Sequence, residues 1–237
     1  MFKLITKCLS FFHIVVMRNA SYENLIQFPD RIHDSILKNS IGVLHIGGHL
    51  AEERFKYADL GLPVVWVEGI EEYHRRLVQL ISSIPNQSAM CLFLSDTNSE
   101  NVPFFLSNND RSSSSLYQLN DTRDFPGLKM DDEIKVCTYR FDQVVDMEFF
   151  QKYNHVVIDV QGAELNVLKG FGDLLYSVKS LNIEISTYDI YLNGAKFLEI
   201  KSFLKDFGFY PLWEPNGRNH SDIIFMKSSK FFRLIEY

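Results

Sequence analysis

Two acids stand where proton chemistry would need them. Asp159 closes the apolar run His155-Val-Val-Ile158, and Glu184 lies near the end of Leu181-Asn-Ile-Glu-Ile185. If these runs are neighbouring strands, both carboxylates reach the same mouth. There they suit removal of a proton from a hydroxyl, with Asp159 the first candidate for the base. Two carboxylates plus substrate oxygens would also suit Mg2+; Asp159 and Glu184 are the residues such an ion would use, although no metal is assigned. The opposing account has Asp159 orienting a loop and Glu184 anchoring Tyr188 or Tyr191. His49, just past Gly47-Gly48, is a third catalytic candidate, and it serves equally to hold the loop in shape. Glu68 ends Val64-Val-Trp-Val67, about 20 residues after Gly47, where a carboxylate accepts hydrogen bonds from both hydroxyls of a ribose.

Positioning these residues takes a strand, a turn, a helix and a second strand. Val43 to Ile46 suits a buried strand, interrupted only by His45. Gly47 and Gly48 permit a tight turn. Leu50 to Leu60 reads as a helix with Phe55, Tyr57 and Ala58 to pack, and Val64 to Val67 is the second strand. This is the nucleotide-binding half of a doubly wound α/β fold. A pyrophosphate needs a bare helix N-terminus. Here the third glycine of G-x-G-x-x-G is missing, and Glu52 and Glu53 occupy the first helical turn, where they would repel a diphosphate. S-adenosylmethionine has an adenosine, a sulfonium and an ammonium but no phosphate, so the local chemistry leans towards a methyl donor. The expected cofactor site is His45, Gly47, Gly48, His49, Glu52, Glu68 and Asp159. At the end of a third strand, Ala89 to Leu94, Ser95 or Asp96 would meet the adenine amine. Asp96 reads equally as a turn cap, and His45 as a core residue.

Leu44-His-Ile-Gly-Gly-His-Leu-Ala-Glu-Glu53, Trp66-Val-Glu-Gly69, Ile158-Asp-Val-Gln-Gly-Ala-Glu-Leu165 with Leu168-Lys-Gly170, Ile183-Glu-Ile-Ser186, Tyr191 and Ser221-Asp-Ile-Ile-Phe225 occur in this order. Together they resemble the FkbM family of S-adenosylmethionine-dependent methyltransferases, from about residue 41 to 227. The resemblance implies a Rossmann-like class I methyltransferase fold. That fold is a mostly parallel seven-stranded sheet with an antiparallel last hairpin, here with an extra β-hairpin and loop insertion. It also implies a hydroxyl acceptor on a sugar or small molecule, such as a glycan or secondary-metabolite precursor. Ser114, Ser115, Gln161 and Tyr191 are then the residues expected to touch the acceptor.

At 237 residues and 46% hydrophobic, the chain supports one sizeable core and is too short for two ordinary catalytic domains. A net charge of −6 without a dense basic run argues against a nucleic-acid partner. Cys8, Cys91 and Cys137 lie far apart with no C-x-x-C pair, which fits the reducing cytoplasm. The expected division is a helical extension at 1–40, the methyltransferase domain at 41–228 and a tail at 229–237. The apolar patch Leu9 to Met17 is too short to span a bilayer. It reads as a helix packed on the domain or at a homo-oligomer contact, with a membrane-surface helix as the alternative. Further helices are expected over 71–84, 141–152, 163–175 and 196–207, with strands over 102–106, 134–139, 209–213 and 222–226. The polar segment Ser107 to Glu133, with four consecutive serines, reads as a lid or as flexible surface.

Two rival functions remain. An NAD-dependent oxidoreductase or epimerase is weakened by the incomplete glycine motif and the lack of a Tyr-x-x-x-Lys pair. A non-catalytic nucleoside-binding protein would bind the ligand and transfer nothing.

Overall fold

The structure, a computed structural model, describes residues 29–215 and 220–227. In chain order the helices are α1 (Pro29–Lys38), α2 (Arg54–Asp59), α3 (Glu71–Ile81), α4 (Met147–Phe150), α5 (Glu164–Phe171) and α6 (Phe197–Asp206). The strands are β1 (Val43–Ile46), β2 (Val64–Val67), β3 (Gln87–Met90), β4 (Phe93–Leu94), β5 (Ser99–Ser107), β6 (Met130–Tyr139), β7 (His155–Ile158), β8 (Ser180–Ser186), β9 (Phe209–Pro211) and β10 (His220–Lys227).

At every position β1, β2 and β7 are buried. Strands without a polar face need cover on both sides, the setting of a parallel α/β sheet. The pleat divides their side chains between two layers. Leu44, Ile46, Val65, Val67, Val156 and Ile158 join the larger core with residues of α5 and α6. Val43, Val64, Trp66 and Val157 face the other way, onto Leu37, Tyr57, Leu77 and Ile81 from α1, α2 and α3.

The main sheet runs β3-β2-β1-β7-β8-β10-β9. β1 pairs in parallel with both β2 and β7, whereas β10 is antiparallel to β8 and β9. The chain thus winds outward from β1 to β3 and returns to lay β7 on the other side of β1. The crevice at the carboxyl ends of β1 and β7 is the switch point where such folds bind ligands. A second, three-stranded sheet, β4-β6-β5, adds the hairpin insertion above that crevice's β3 side.

Several expected boundaries move. The helix expected from Leu50 begins at Arg54, because His49 and Ala51 take positive φ and wind residues 49–53 into turns. Glu52 and Glu53 therefore precede the helix. The run 141–152 is a 3-10 turn, Phe141–Gln143, and the short α4. The helix expected over 163–175 changes to a 3-10 helix at Gly172 (φ 49°). The third strand is split: β3 ends at Met90, and Phe93–Leu94 belongs to the second sheet. Residues Leu9 to Met17 lie outside the described residues, as does the tail from 228. No helix among the described residues is long and apolar enough to cross a membrane.

Candidate active site

Beyond the carboxyl ends of β1, β2 and β7 lies a cavity of about 310 Å3, at the small end of the range for ligand sites. Its floor is the glycine turn. The amides of Gly47 and Gly48 both donate to the Val67 carbonyl, at 2.9 and 3.0 Å. Gly47 has φ 86°, and a Cβ there would lie 1.7 Å from the Asp159 carbonyl oxygen. Only glycine lets the ends of β1 and β7 approach this closely.

Glu68 lines the cavity but is itself engaged. Its Oε2 accepts the His49 amide at 2.9 Å and its Oε1 accepts the Ile70 amide at 2.7 Å. Burial raises its pKa, against the lowering effect of these amides. Each carboxylate oxygen still has a second lone pair, so two ribose hydroxyls can be accepted without breaking either bond. The cavity wall carries Glu52, Glu53, Glu68 and Asp159 against one guanidinium, Arg111, which pairs with Asp131 and donates to the Ser107 carbonyl. A bare glycine floor, an acid for the ribose and an acidic wall fit S-adenosylmethionine, a cationic nucleoside, better than a diphosphate.

The other residues singled out from the sequence separate into groups. His45 is turned by the pleat into the second layer, bonded to the Tyr57 hydroxyl at 3.1 Å and stacked on Trp66. Burial lowers its pKa to about 4, so its ring is a neutral core group. Ser95 and Asp96 are not brought to the cavity: with β3 ending at Met90, they lie behind it, where Asp96 Oδ1 accepts from Asn166 and Ser95. The wall they were expected to form is instead Ile70, Leu92, Phe93, Leu94, Phe104 and Leu116, an apolar slot suited to a flat base. The sequence signal for it was the aromatic pair Phe93 and Phe104, whose rings meet at 4.6 Å.

His49 sits at the rim with φ 38°. Its Nδ1 bonds Glu52 Oε1 and its Nε2 bonds the Asp110 carbonyl, each at 3.0 Å, over a stacked Tyr73. Both partners are acceptors, so both ring nitrogens must carry hydrogen and the arrangement selects the imidazolium. Burial opposes this, yet the bonds to Glu52 and to Asp110 outweigh it, and the net shift in pKa is upward. The Tyr73 hydroxyl donates to Asp110 Oδ1 at 2.6 Å. The serine-rich segment is thereby held as a strap over the cavity. Ser114 and Ser115 are buried: Ser114 Oγ accepts the Ser107 amide at 3.0 Å, and Ser115 Oγ donates to the Gln161 carbonyl at 2.6 Å.

Asp159 and Glu184 do converge. Gln161, at φ 57°, donates its Nε2 to Asp159 Oδ1 and to Glu184 Oε2, both at 2.6 Å. Its Oε1 accepts the Tyr191 hydroxyl at 2.6 Å. The one amide nitrogen, Nε2, therefore holds the two carboxyls side by side. Burial, then the neighbouring charge of Glu184, holds Asp159 well above the carboxylate range. Burial raises Glu184 to about 8, with Glu164 and Asp222 adding to the rise. Such a pair holds a proton between its members. It does not fit Mg2+: an amide N–H group occupies the space between the carboxylates, where a cation needs oxygen lone pairs. Among the described residues no group of three or more His, Cys, Asp or Glu is arranged to hold a metal.

Two residues in this region are not among the site residues expected from the sequence, although His220 reads there as a turn residue of the last hairpin or a substrate-facing one. Glu164, fully buried with its pKa raised by burial to about 7, accepts the amides of Val160 and Gly162 and so shapes the loop after β7. His220 Nε2 lies 2.6 Å from Glu184 Oε1. Both stand beside recognisable acids in the sequence, but only strand register brings them into contact.

A doubly wound seven-stranded sheet with its next-to-edge strand reversed, a glycine turn and an acid at the second strand's end define a class I methyltransferase. The chain belongs to the FkbM family of S-adenosylmethionine-dependent methyltransferases: residues 43–211 match the model described as the methyltransferase FkbM domain. That membership sets aside the oxidoreductase and the non-catalytic readings. No curated protein matches the sequence. Among solved structures the chain is similar to the N-terminal domain of EvdMO1, determined with SAH and D-fucose, at 11% identity over 83% of this chain and 79% of that one, TM-score 0.45. It is also similar to magnesium protoporphyrin IX methyltransferase from Synechocystis PCC 6803 with bound SAM (10% identity, 92% and 88% covered, TM-score 0.44). A third is the methyltransferase domain of bacterial CtHen1-CN (12%, 86% and 98%, 0.44).

Proposed function

We propose that the protein is an O-methyltransferase acting on a hydroxyl of a small molecule or sugar, such as a glycan or secondary-metabolite precursor, without a metal. When bound, S-adenosylmethionine supplies a methyl group on a cationic sulfur that leaves as a neutral thioether. The observation that carries the reading is the Asp159–Gln161–Glu184 cluster, of which Asp159 and Gln161 line the same cavity as Gly47 and Glu68. A hydroxyl must lose its proton as its new bond forms. Asp159 lines the cavity and would receive that proton, with Glu184 sharing it. Glu68 holds the ribose, Gly47 and Gly48 leave room beneath the sulfonium, and the apolar slot takes the base. Gln161 and Tyr191 fix the carboxyl pair, while the strap carrying Ser114 and Ser115 excludes water, which raises the effect of alignment on rate.

The free thiols of Cys91 and Cys137 support a cytoplasmic setting. Incubation with methyl-labelled S-adenosylmethionine and a panel of monosaccharides, glycosides and phenols tests the reading. Label in an ether-linked methyl, lost in Asp159→Asn, supports it. Transfer to an amine or to nucleic acid with hydroxyl acceptors untouched contradicts it.

A further inference from the structure

S-adenosylmethionine carries a carboxylate beside its two cationic groups, and the wall of Glu52, Glu53, Glu68 and Asp159 repels it. The amides around the paired glycines are spent. Those of Gly47 and Gly48 donate to the Val67 carbonyl, that of His49 to Glu68 Oε2 and that of Ala51 to the Gly48 carbonyl. Both nitrogens of the His49 ring are bonded as well. Among the described residues lining the cavity, Arg111 is the one guanidinium, and its side chain is 31% exposed. Both hydrogens of its Nη1 are used, one on the Ser107 carbonyl at 2.8 Å and one on Asp131 Oδ1 of β6. Its Nε and Nη2 have no partner among the described residues. The edge left open is therefore the one whose parallel N–H groups match the two oxygens of a carboxylate.

The backbone holds this side chain in place at a cost. Asp110 and Arg111 both take positive φ, 56° and 61°, a conformation that strains residues other than glycine and persists only where neighbours fix it. Asp110 is fixed by the His49 ring on its carbonyl and the Tyr73 hydroxyl on its carboxylate, and Arg111 by Ser107 and Asp131. His49 directly follows Gly47-Gly48, so its bond to Asp110 sets Arg111 beside the glycine turn. We propose that the Nε–Nη2 edge of Arg111 binds the amino-acid carboxylate of S-adenosylmethionine, so that the cofactor itself ties the strap to the floor of the cavity. The inference rests on the S-adenosylmethionine site and is independent of the acceptor. Glu52 and Glu53 are left to the ammonium at the same end of the ligand, and each of its charges then meets the opposite sign.

The test titrates the full chain calorimetrically with S-adenosylhomocysteine and with its decarboxylated analogue, which keeps the adenosine, the thioether and the ammonium. Arg111→Gln and Arg111→Met weaken binding of S-adenosylhomocysteine by about tenfold to a hundredfold, as loss of a charged hydrogen-bonded pair does. They leave affinity for the analogue unchanged or higher, since the guanidinium only repels its ammonium; unchanged melting temperatures without ligand show that the variants fold. In the wild type, amide exchange over residues 108–116 slows when S-adenosylhomocysteine saturates the site and slows less with the analogue. Equal weakening of both ligands overturns the proposal and makes Arg111 an anchor of the strap alone. S-adenosylhomocysteine affinity that neither variant alters overturns it too, as does equal slowing of exchange by the two ligands. Failure of the cofactor site itself is seen separately, as no binding of S-adenosylhomocysteine to the wild type, and this inference falls with it.

Discussion

Gly47 and Gly61 both have positive φ, yet substituting them should differ sharply in cost. A Cβ at Gly47 meets the Asp159 carbonyl, whereas one at Gly61 (φ 66°) meets nothing within 4 Å. Gly47→Ala is expected to destabilise the fold by roughly 3 kcal/mol or more and Gly61→Ala by about 1 kcal/mol, as read by urea denaturation; equal losses would contradict the close-approach account. The carboxyl pair gives a second prediction. The folded-state pKa of Glu184 is raised from 4.5 to about 8, so across that interval the folded protein binds more protons than the unfolded chain. Stability conferred by the protonated form is present below pH 4.5 and falls as pH rises towards 8, by on the order of 2–4 kcal/mol. Glu184→Gln should flatten that decline in thermal melts; an unchanged slope would show that Glu184 ionises freely. At this scale the sequence was informative about residue type and poor about partners. Glu68 and Asp159 were legible because each ends an apolar run, and Glu184 because it lies near the end of one. Their partners were not: the Glu164 amide bonds and the His220 contact depend on a loop shape and a strand register that no local pattern encodes.

Among the elements, the strap after β5 determines how closed the cavity is. It is tied down by Asp110, which is held by the His49 ring and the Tyr73 hydroxyl, and by Ser115 on the Gln161 carbonyl. Tyr73→Phe removes one of these bonds and should speed amide hydrogen exchange over residues 108–116 by roughly fivefold, with α6 unchanged. The His49 clasp has a pH sign of its own. Its pKa is raised above 6.5, so its contribution is complete below that value and is lost as pH rises through the higher folded-state value. Exchange over 108–116, corrected for intrinsic rates, should therefore accelerate with pH in that window, and His49→Gln should abolish the dependence. The main strands were readable from their short, mostly apolar runs, broken only by His45 in β1 and opened by His155 in β7, and α3 and α6 from their periodicity. What failed was the run Leu50–Glu53 and the third strand. Positive φ at His49 and Ala51, neither a glycine, carries no sequence signal. Ala89 to Leu94 looks like one strand, although the chain changes sheets within it.

Across the whole molecule, two core layers separated by the sheet hold β1 and β7 side by side, and the ligand site is simply where their ends part. Ligand binding should then stabilise the entire fold. At a concentration of S-adenosylhomocysteine about 100 times its Kd, linkage adds ~2.7 kcal/mol, a rise in Tm of roughly 5–10 °C for a chain of this size. The fold class was legible because the strand–turn–helix–strand–acid order is local. The reversed β10 and the second sheet's position over the crevice are long-range pairings, and the sequence signals them only through the family resemblance.

Calorimetric titration of the wild-type chain and Glu68→Gln with S-adenosylhomocysteine and with NAD tests the central claim most directly. The expected result is micromolar binding of S-adenosylhomocysteine to the wild type, weakened about tenfold to a hundredfold in the variant, and no binding of NAD. Binding of NAD alone, or S-adenosylhomocysteine affinity that Glu68→Gln leaves untouched, would contradict it.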